Sequence, residues 1–225
     1  MDKSTVARID YLRVNEWSSM ILGKMSEISE KSIYRIIICF EQWCSKGHLK
    51  IDELITEKDT RAILCALETA SDRVRIILIN ILTQLINRVE RQNHIFFEDP
   101  FWSLICHLLC TKKDERLFKS LLLLVECCLS NFSAEEIISL IENVPLLRSL
   151  LISGPSTHND INELIVDVFE ILLESGQSLV WKTGHNRVID SLLGQSENNV
   201  LLEEFCMSQK ENLKSLSNLV DEYRY

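Results

Sequence analysis

The chain has 225 residues and a formal net charge of −9, with only six glycines and three prolines. Leu (34) and Ile (25) account for 59 residues. Such a composition is rich in helix formers and poor in turn residues, which argues against sandwiches, barrels and glycine-loop nucleotide folds; at 46% hydrophobic it also argues against disorder.

In chain order, Ser4–Ile28 carries apolar residues at Val6, Ile9, Leu12, Trp17, Met20, Ile21, Met25 and Ile28, the pattern of an amphipathic helix or a broken pair. Four long apolar runs follow: Ser32–Ser45, Val74–Asn87, Arg116–Leu129 and Asn162–Ser175. Each is helix-length with isolated polar positions, so each should be buried on more than one side. Aligned on the polar residue before their last apolar group, Gln42, Gln84, Glu126 and Glu170 are equivalent, at steps of 42, 42 and 44. Shorter runs at Lys58–Ala70, Pro100–Thr111, Pro145–Ser153 and Asn186–Gln195 align on Leu67, Leu109, Leu151 and Leu193, at steps of 42 throughout. The turns between paired helices are Ala70–Arg73, Thr111–Asp114, Gly154–Asp160 and Gln195–Asn199. Ser133 with Glu136, and Asp160 with Glu163, have the spacing of a capping box, and Gly154-Pro155 is a helix stop. Val200–Tyr223 reads as a final amphipathic helix.

A period of about 42 residues built from helix pairs is the pattern of an α-solenoid. The short helix ending in Leu-Leu, the polar turn and the long apolar helix resemble armadillo repeats. Pro100–Asn131 is the best copy and Asp59–Asn87 the next, with HEAT-like repeats close behind. The resemblance spans roughly residues 30–222 and implies an all-α, right-handed solenoid of about four repeats. The expected organisation is a single domain over 1–225: capping helices in 1–30, repeats in 31–195 and a C-terminal helix in 196–225.

The charge is uneven. Residues 1–120 hold 18 Lys/Arg against 17 Asp/Glu, whereas residues 121–225 hold 6 against 16. Binding nucleic acid through phosphates needs concentrated Lys/Arg, so direct nucleic-acid binding is not expected. A basic protein segment suits the second half better; a solvated acidic face that keeps the protein in solution is the alternative. Most of the eight cysteines (Cys39, Cys44, Cys65, Cys106, Cys110, Cys127, Cys128 among them) lie in apolar helical runs and are expected to act as small buried hydrophobes. The opening MDKSTVARID lacks the apolar core of a signal peptide, and the longest uncharged runs have 12 residues, too short to cross a membrane. A reducing setting, cytoplasmic or nuclear, is expected, with no membrane association.

No nucleotide-loop, zincin or nucleophile-elbow motif occurs, so no enzyme is expected. Cys106, His107 and Cys110 share a short helical stretch and could bind zinc if Cys127 and Cys128 faced them. Their Leu and Ile surroundings favour core thiols, so no metal or cofactor is expected. His94, His158 and His185 fall in loops as surface residues. The armadillo resemblance implies a concave groove in which Gln42, Gln84, Glu126 and Glu170, with Trp43 and Arg88 nearby, would hold an extended or helical partner segment of basic character. The plainer alternative is that these positions mark only the exposed edge of each helix. Phe96, Phe97, Phe101 and Trp102 cluster around Asp99-Pro100, either as a staple between repeats or as an exposed hot spot. The expected function is a protein-interaction scaffold or adaptor; the alternative is a structural subunit that uses its convex face or terminal helices. A helical metal protein or enzyme is the remote alternative.

Overall fold

A computed structural model of the chain describes residues 57–88, 96, 98–111, 114–154, 156, 158–194, 196–207 and 214–223. Every regular element among the described residues is helical, so the protein is all-α. The chain divides into two compact units, Met1–Ile95 and Phe96–Tyr225. The expected capping helices of 1–30 and the run Ser32–Ser45 lie outside the described residues.

In the first unit, α1 (Glu57–Thr69) packs on α2 (Asp72–Arg88) across a very short turn. The turn is held by Arg75, whose Nε donates to Leu67 O and Nη2 to Glu68 O, both at 2.9 Å. A cation thus satisfies carbonyls that the end of α1 leaves without intrahelical donors. Along α2, Val74, Ile77, Leu78, Ile79, Ile81, Leu82 and Ile86 are buried, which covers more than one face, as the apolar run requires.

The second unit begins with α3 (Asp99–Cys110), started by Asp99 and Pro100 in its first turn. The helices α4 (Glu115–Asn131) and α5 (Ala134–Asn143) follow. Asp114 caps α4 by accepting from Arg116 N at 2.8 Å. Ser133 and Glu136 form the expected capping box on α5. The helix α6 (Leu146–Ser153) ends at Gly154, whose φ of 63° is a conformation that glycine adopts without penalty. Next come α7 (Asn159–Ser178), the four-residue α8 (Val180–Thr183) and α9 (Arg187–Gly194). The helices α10 (Ser196–Met207) and α11 (Lys214–Glu222) complete the unit.

Long-range contacts arrange these helices in three rows. One row is α3, α6 and α10; another is α4, α7 and α11; in the third, α5 lies on α9. Polar contacts fix the direction of neighbours. Glu115 meets Ser156 and His158, Lys119 meets Asp160, and Glu126 lies close to Asp167, so α4 and α7 run parallel. Cys106 meets Ser149, and Ser153 Oγ donates to Leu109 O at 3.2 Å, so α3 and α6 run parallel too. Arg148–Glu197 ties α6 to α10, and Arg187–Glu142 ties α9 to α5.

Three local readings change. Asp160 lies inside the first turn of α7 and pairs with Lys119 of α4, so the Asp160–Glu163 capping box does not form. The loop before α7 is closed instead by buried Asn162, whose Oδ1 accepts from Ser156 N at 2.9 Å and whose Nδ2 donates to Ser156 O at 3.0 Å. The row of short helices continues from α6 to α10, while the segment holding Leu193 is α9, which packs on α5, α7 and α10. Leu193 therefore does not take the place of Leu151; the extra helices α5 and α8 upset a count made along the sequence. Finally, Ser196–Asn199 is the first turn of α10 rather than a connection, and the described residues of 196–225 form two helices.

Candidate functional site

The candidate surface is built on the two long helices α4 and α7. On α4 one line of exposed or half-exposed positions comprises Arg116, Lys119, Leu123, Glu126 and Ser130; on α7 a line of exposed positions comprises Asp160, Glu163, Asp167, Glu170 and Glu174. Both sets advance by 3, 4, 3 and 4 residues, so each forms one stripe along its helix. The two stripes match position for position at an offset of 44, with Glu126 corresponding to Glu170. Between them the remaining faces of α4 are packed: Leu117, Phe118, Leu121, Leu122, Leu124, Val125, Cys128 and Leu129 are all buried. Between Leu117 and Leu129 of α4 the stripe is what packing leaves to solvent, whereas α7 also leaves Leu164, Val166 and Ile171 partly exposed.

The stripes carry unlike charge. That of α4 runs from Arg116 and Lys119 to Glu126, whereas every position of the α7 stripe is a carboxylate. Partial burial, and then the charge of Asp167, hold the Glu126 carboxyl above its ordinary range. At the far end of α7, Tyr223 meets Glu170 and Glu174 and is hydrogen-bonded to Glu174; burial and these carboxylates push its hydroxyl up. Rigidly held carboxylates one turn apart can accept from N–H groups and attract cations.

The other sequence-derived residues separate. Gln42, Trp43 and Phe97 lie outside the described residues, as do the side chains of Gln84 and Arg88 on α2. The burial pattern of α2 matches that of α4 at a step of 43: Arg73, Ile76, Asn80 and Thr83 correspond to Arg116, Lys119, Leu123 and Glu126. Thr83 is half-exposed at the position that this step pairs with Glu126; its hydroxyl donates to Ile79 O at 3.0 Å.

The aromatic group is a packing nest, not an exposed hot spot. Phe96, Phe101 and Trp102 are 4%, 1% and 1% exposed. Phe101 meets both Phe96 and Trp102 edge-on, at 5.2 and 5.3 Å, and Trp102 Nε1 donates to Phe96 O at 2.8 Å. The indole N–H is thus satisfied inside the fold, leaving no polar handle for a partner.

The thiols also divide. Cys106, Cys127 and Cys128 are buried, but Cys65 and Cys110 are exposed, because they occupy the outer faces of their helices. Burial pushes Cys106 and Cys127 up to about 11, so both are neutral near pH 7 and poor nucleophiles. Among the described residues, no three His, Cys, Asp or Glu side chains are placed to hold a metal ion. His158 and His185 are exposed and pair with Glu115 and Asp190.

Asp167, Glu174 and Tyr223 were not singled out by sequence reasoning. The two carboxylates could have been found from the spacing of acids along NDINELIVDVFEILLES; Tyr223 had no such signal. No family model, no curated protein and no solved structure matches the chain. No helix among the described residues is long and apolar enough to cross a membrane.

Proposed function

We propose that this chain is a non-catalytic interaction module: a right-handed, armadillo-like solenoid whose acidic helical face holds a basic segment of another protein. The observation that carries the reading is the pair of parallel stripes on α4 and α7, in register, with Glu126, Asp167, Glu170 and Glu174 gathered toward one end. A segment bearing Lys or Arg at intervals of one or two helical turns meets a carboxylate at each step. Such exposed charges mainly steer encounter and fix register, so binding should weaken steeply with salt. Exposed Leu123 adds an apolar contact within the α4 stripe. Free thiols packed among apolar side chains suit a reducing compartment, cytoplasmic or nuclear.

A labelled Lys/Arg-rich peptide, titrated in a salt series against the full chain and its Glu126→Lys/Glu170→Lys variant, tests the proposal. Reversing two rim charges should cost about 1 kcal/mol each, or roughly tenfold or more in Kd together. Equal affinity of parent and variant overturns the groove.

A second reading, a structural subunit docking through other faces, is favoured by exposed Trp181 on α8, Ile152 on α6 and Val200 on α10. On that reading, Trp181→Ala would disrupt assembly while the peptide titration stayed unchanged.

A further inference from the structure

We propose that Tyr223 is a phosphorylation site whose modification releases α11 from α7. The helix α11 is held by a small apolar contact: Leu216 and Val220 are buried, and the helix packs on α7 and α10. Its outer positions Ser217, Asn218, Asp221 and Glu222 are exposed. Tyr223 follows in the turn that ends the helix, with its N–H donating to Leu219 O at 3.2 Å. The ring is only half-buried, and its hydroxyl is hydrogen-bonded to Glu174, with Glu170 and Glu222 also acting on it.

The phenol is therefore tolerated among three carboxylates as a neutral group that donates a proton to one of them. That arrangement is stable for a hydroxyl and wrong for an anion. The modification is an ordinary phosphoryl transfer. Tyr223 Oη attacks the γ-phosphorus of ATP bound to a protein tyrosine kinase, the Oη–P bond forms, the bond to the β-phosphate oxygen breaks and ADP leaves. The hydroxyl proton passes to the kinase base. The product removes the donor to Glu174 and places a charge near −2 beside Glu170, Glu174 and Glu222. Like-charge repulsion then acts on a nine-residue helix anchored by few apolar side chains. Asp221 and Glu222, immediately before the tyrosine, supply the acidic approach that a basic substrate cleft recognises by charge. Glu170 and Glu174 also belong to the proposed binding face, but the inference requires no partner to bind there; it needs only the contact between α11 and α7.

The full chain is treated with a broad-specificity tyrosine kinase and ATP, the site is located by peptide mass mapping, and hydrogen exchange is followed in Lys214–Glu222. Phosphate on Tyr223 is expected to speed exchange in α11 by at least tenfold, with little change in α4. The Glu170→Gln/Glu174→Gln variant should show much less acceleration, and Tyr223→Phe should keep α11 protected. The proposal is overturned if phosphorylated Tyr223 leaves α11 protection unchanged. It is equally overturned if the kinase modifies Tyr223 in a peptide spanning residues 214–225 but not Tyr223 of the folded chain. Release of equal size in Tyr223→Phe, or in the Gln variant after phosphorylation, removes charge repulsion as the cause.

Discussion

Both ends of α7 are closed by a buried asparagine, but among the described residues only the start also carries ion pairs in solvent. At its start, Lys119–Asp160 and His158–Glu115 lie in solvent, and the buried connection is the latch that Asn162 makes with Ser156. At its other end, Gly176 lies against Asn186. The Asn186 Nδ2 donates to Leu173 O at 3.1 Å, and its Oδ1 accepts from Val188 N at 3.1 Å, so one side chain closes α7 and caps α9. A Cβ at Gly176 would fall 2.0 Å from Asn186 Oδ1 and 2.9 Å from Val188 Cγ2. Where a side chain is buried and has no alternative position, a single methyl matters; where charges are hydrated, removing a whole side chain matters little.

The largest effect is therefore expected from Gly176→Ala. Replacing a helical glycine by alanine gains about 1 kcal/mol in propensity, but displacing Asn186 takes its amide from Leu173 O and uncaps α9. A net loss of about 2–4 kcal/mol should appear in urea unfolding. The comparison sharpens in the double variant Gly176→Ala/Asn186→Ala, where the methyl enters vacated space. Its loss should be clearly smaller than the sum of the single losses. Strict additivity would mean that the two residues do not act through each other.

Next in size is the latch. Asn162→Ala leaves the N–H and C=O of Ser156 without these partners in a buried loop, at a cost of about 2 kcal/mol. A loss below about 0.5 kcal/mol in urea unfolding would show that the buried amide does not set the start of α7.

Smaller again is Glu126→Gln, on the face alongside. The folded carboxyl is raised by partial burial and by Asp167, so ionised Glu126 opposes folding. That penalty is full above the folded pKa, fades as pH falls toward the unfolded value, and is absent below both. Thermal unfolding should show the Gln variant more stable at pH 7, with the gain gone in acid; a gain that persists in acid would point to packing instead.

Much of this architecture was legible in the residues. The expected run Arg116–Leu129 lies within α4, and Pro145–Ser153 differs from α6 by one residue, because apolar periodicity, Pro and Gly act locally. The Ser133–Glu136 box was readable for the same reason. Asp160 was not, because its partner Lys119 comes from 41 residues away and outcompetes its own helix. Thr83 and Gln84 could not be ranked by aligning polar residues, since a shift of one position is decided by which face the neighbours bury. The aromatics around Pro100 showed a cluster but not its direction; that depended on Trp102 finding the carbonyl of Phe96. Tyr223 was invisible because its surroundings are assembled from α7.

The smallest expected effect is that of Lys119→Ala, which bears most directly on the contrast between the ends of α7. The Lys119 ammonium, bonded to Asp160, holds that carboxyl below its ordinary range, so whatever the pair contributes is present above the unfolded pKa of Asp160 and lost as pH falls through the folded one. Both groups are hydrated, and holding a lysine in one rotamer costs entropy that offsets the attraction. At pH 7 and moderate salt, the urea midpoint of Lys119→Ala should match the parent, and the two should also agree in acid. A loss at pH 7 comparable to that of Asn162→Ala, vanishing as the pH falls, would show that charge and not the buried amide sets the start of α7.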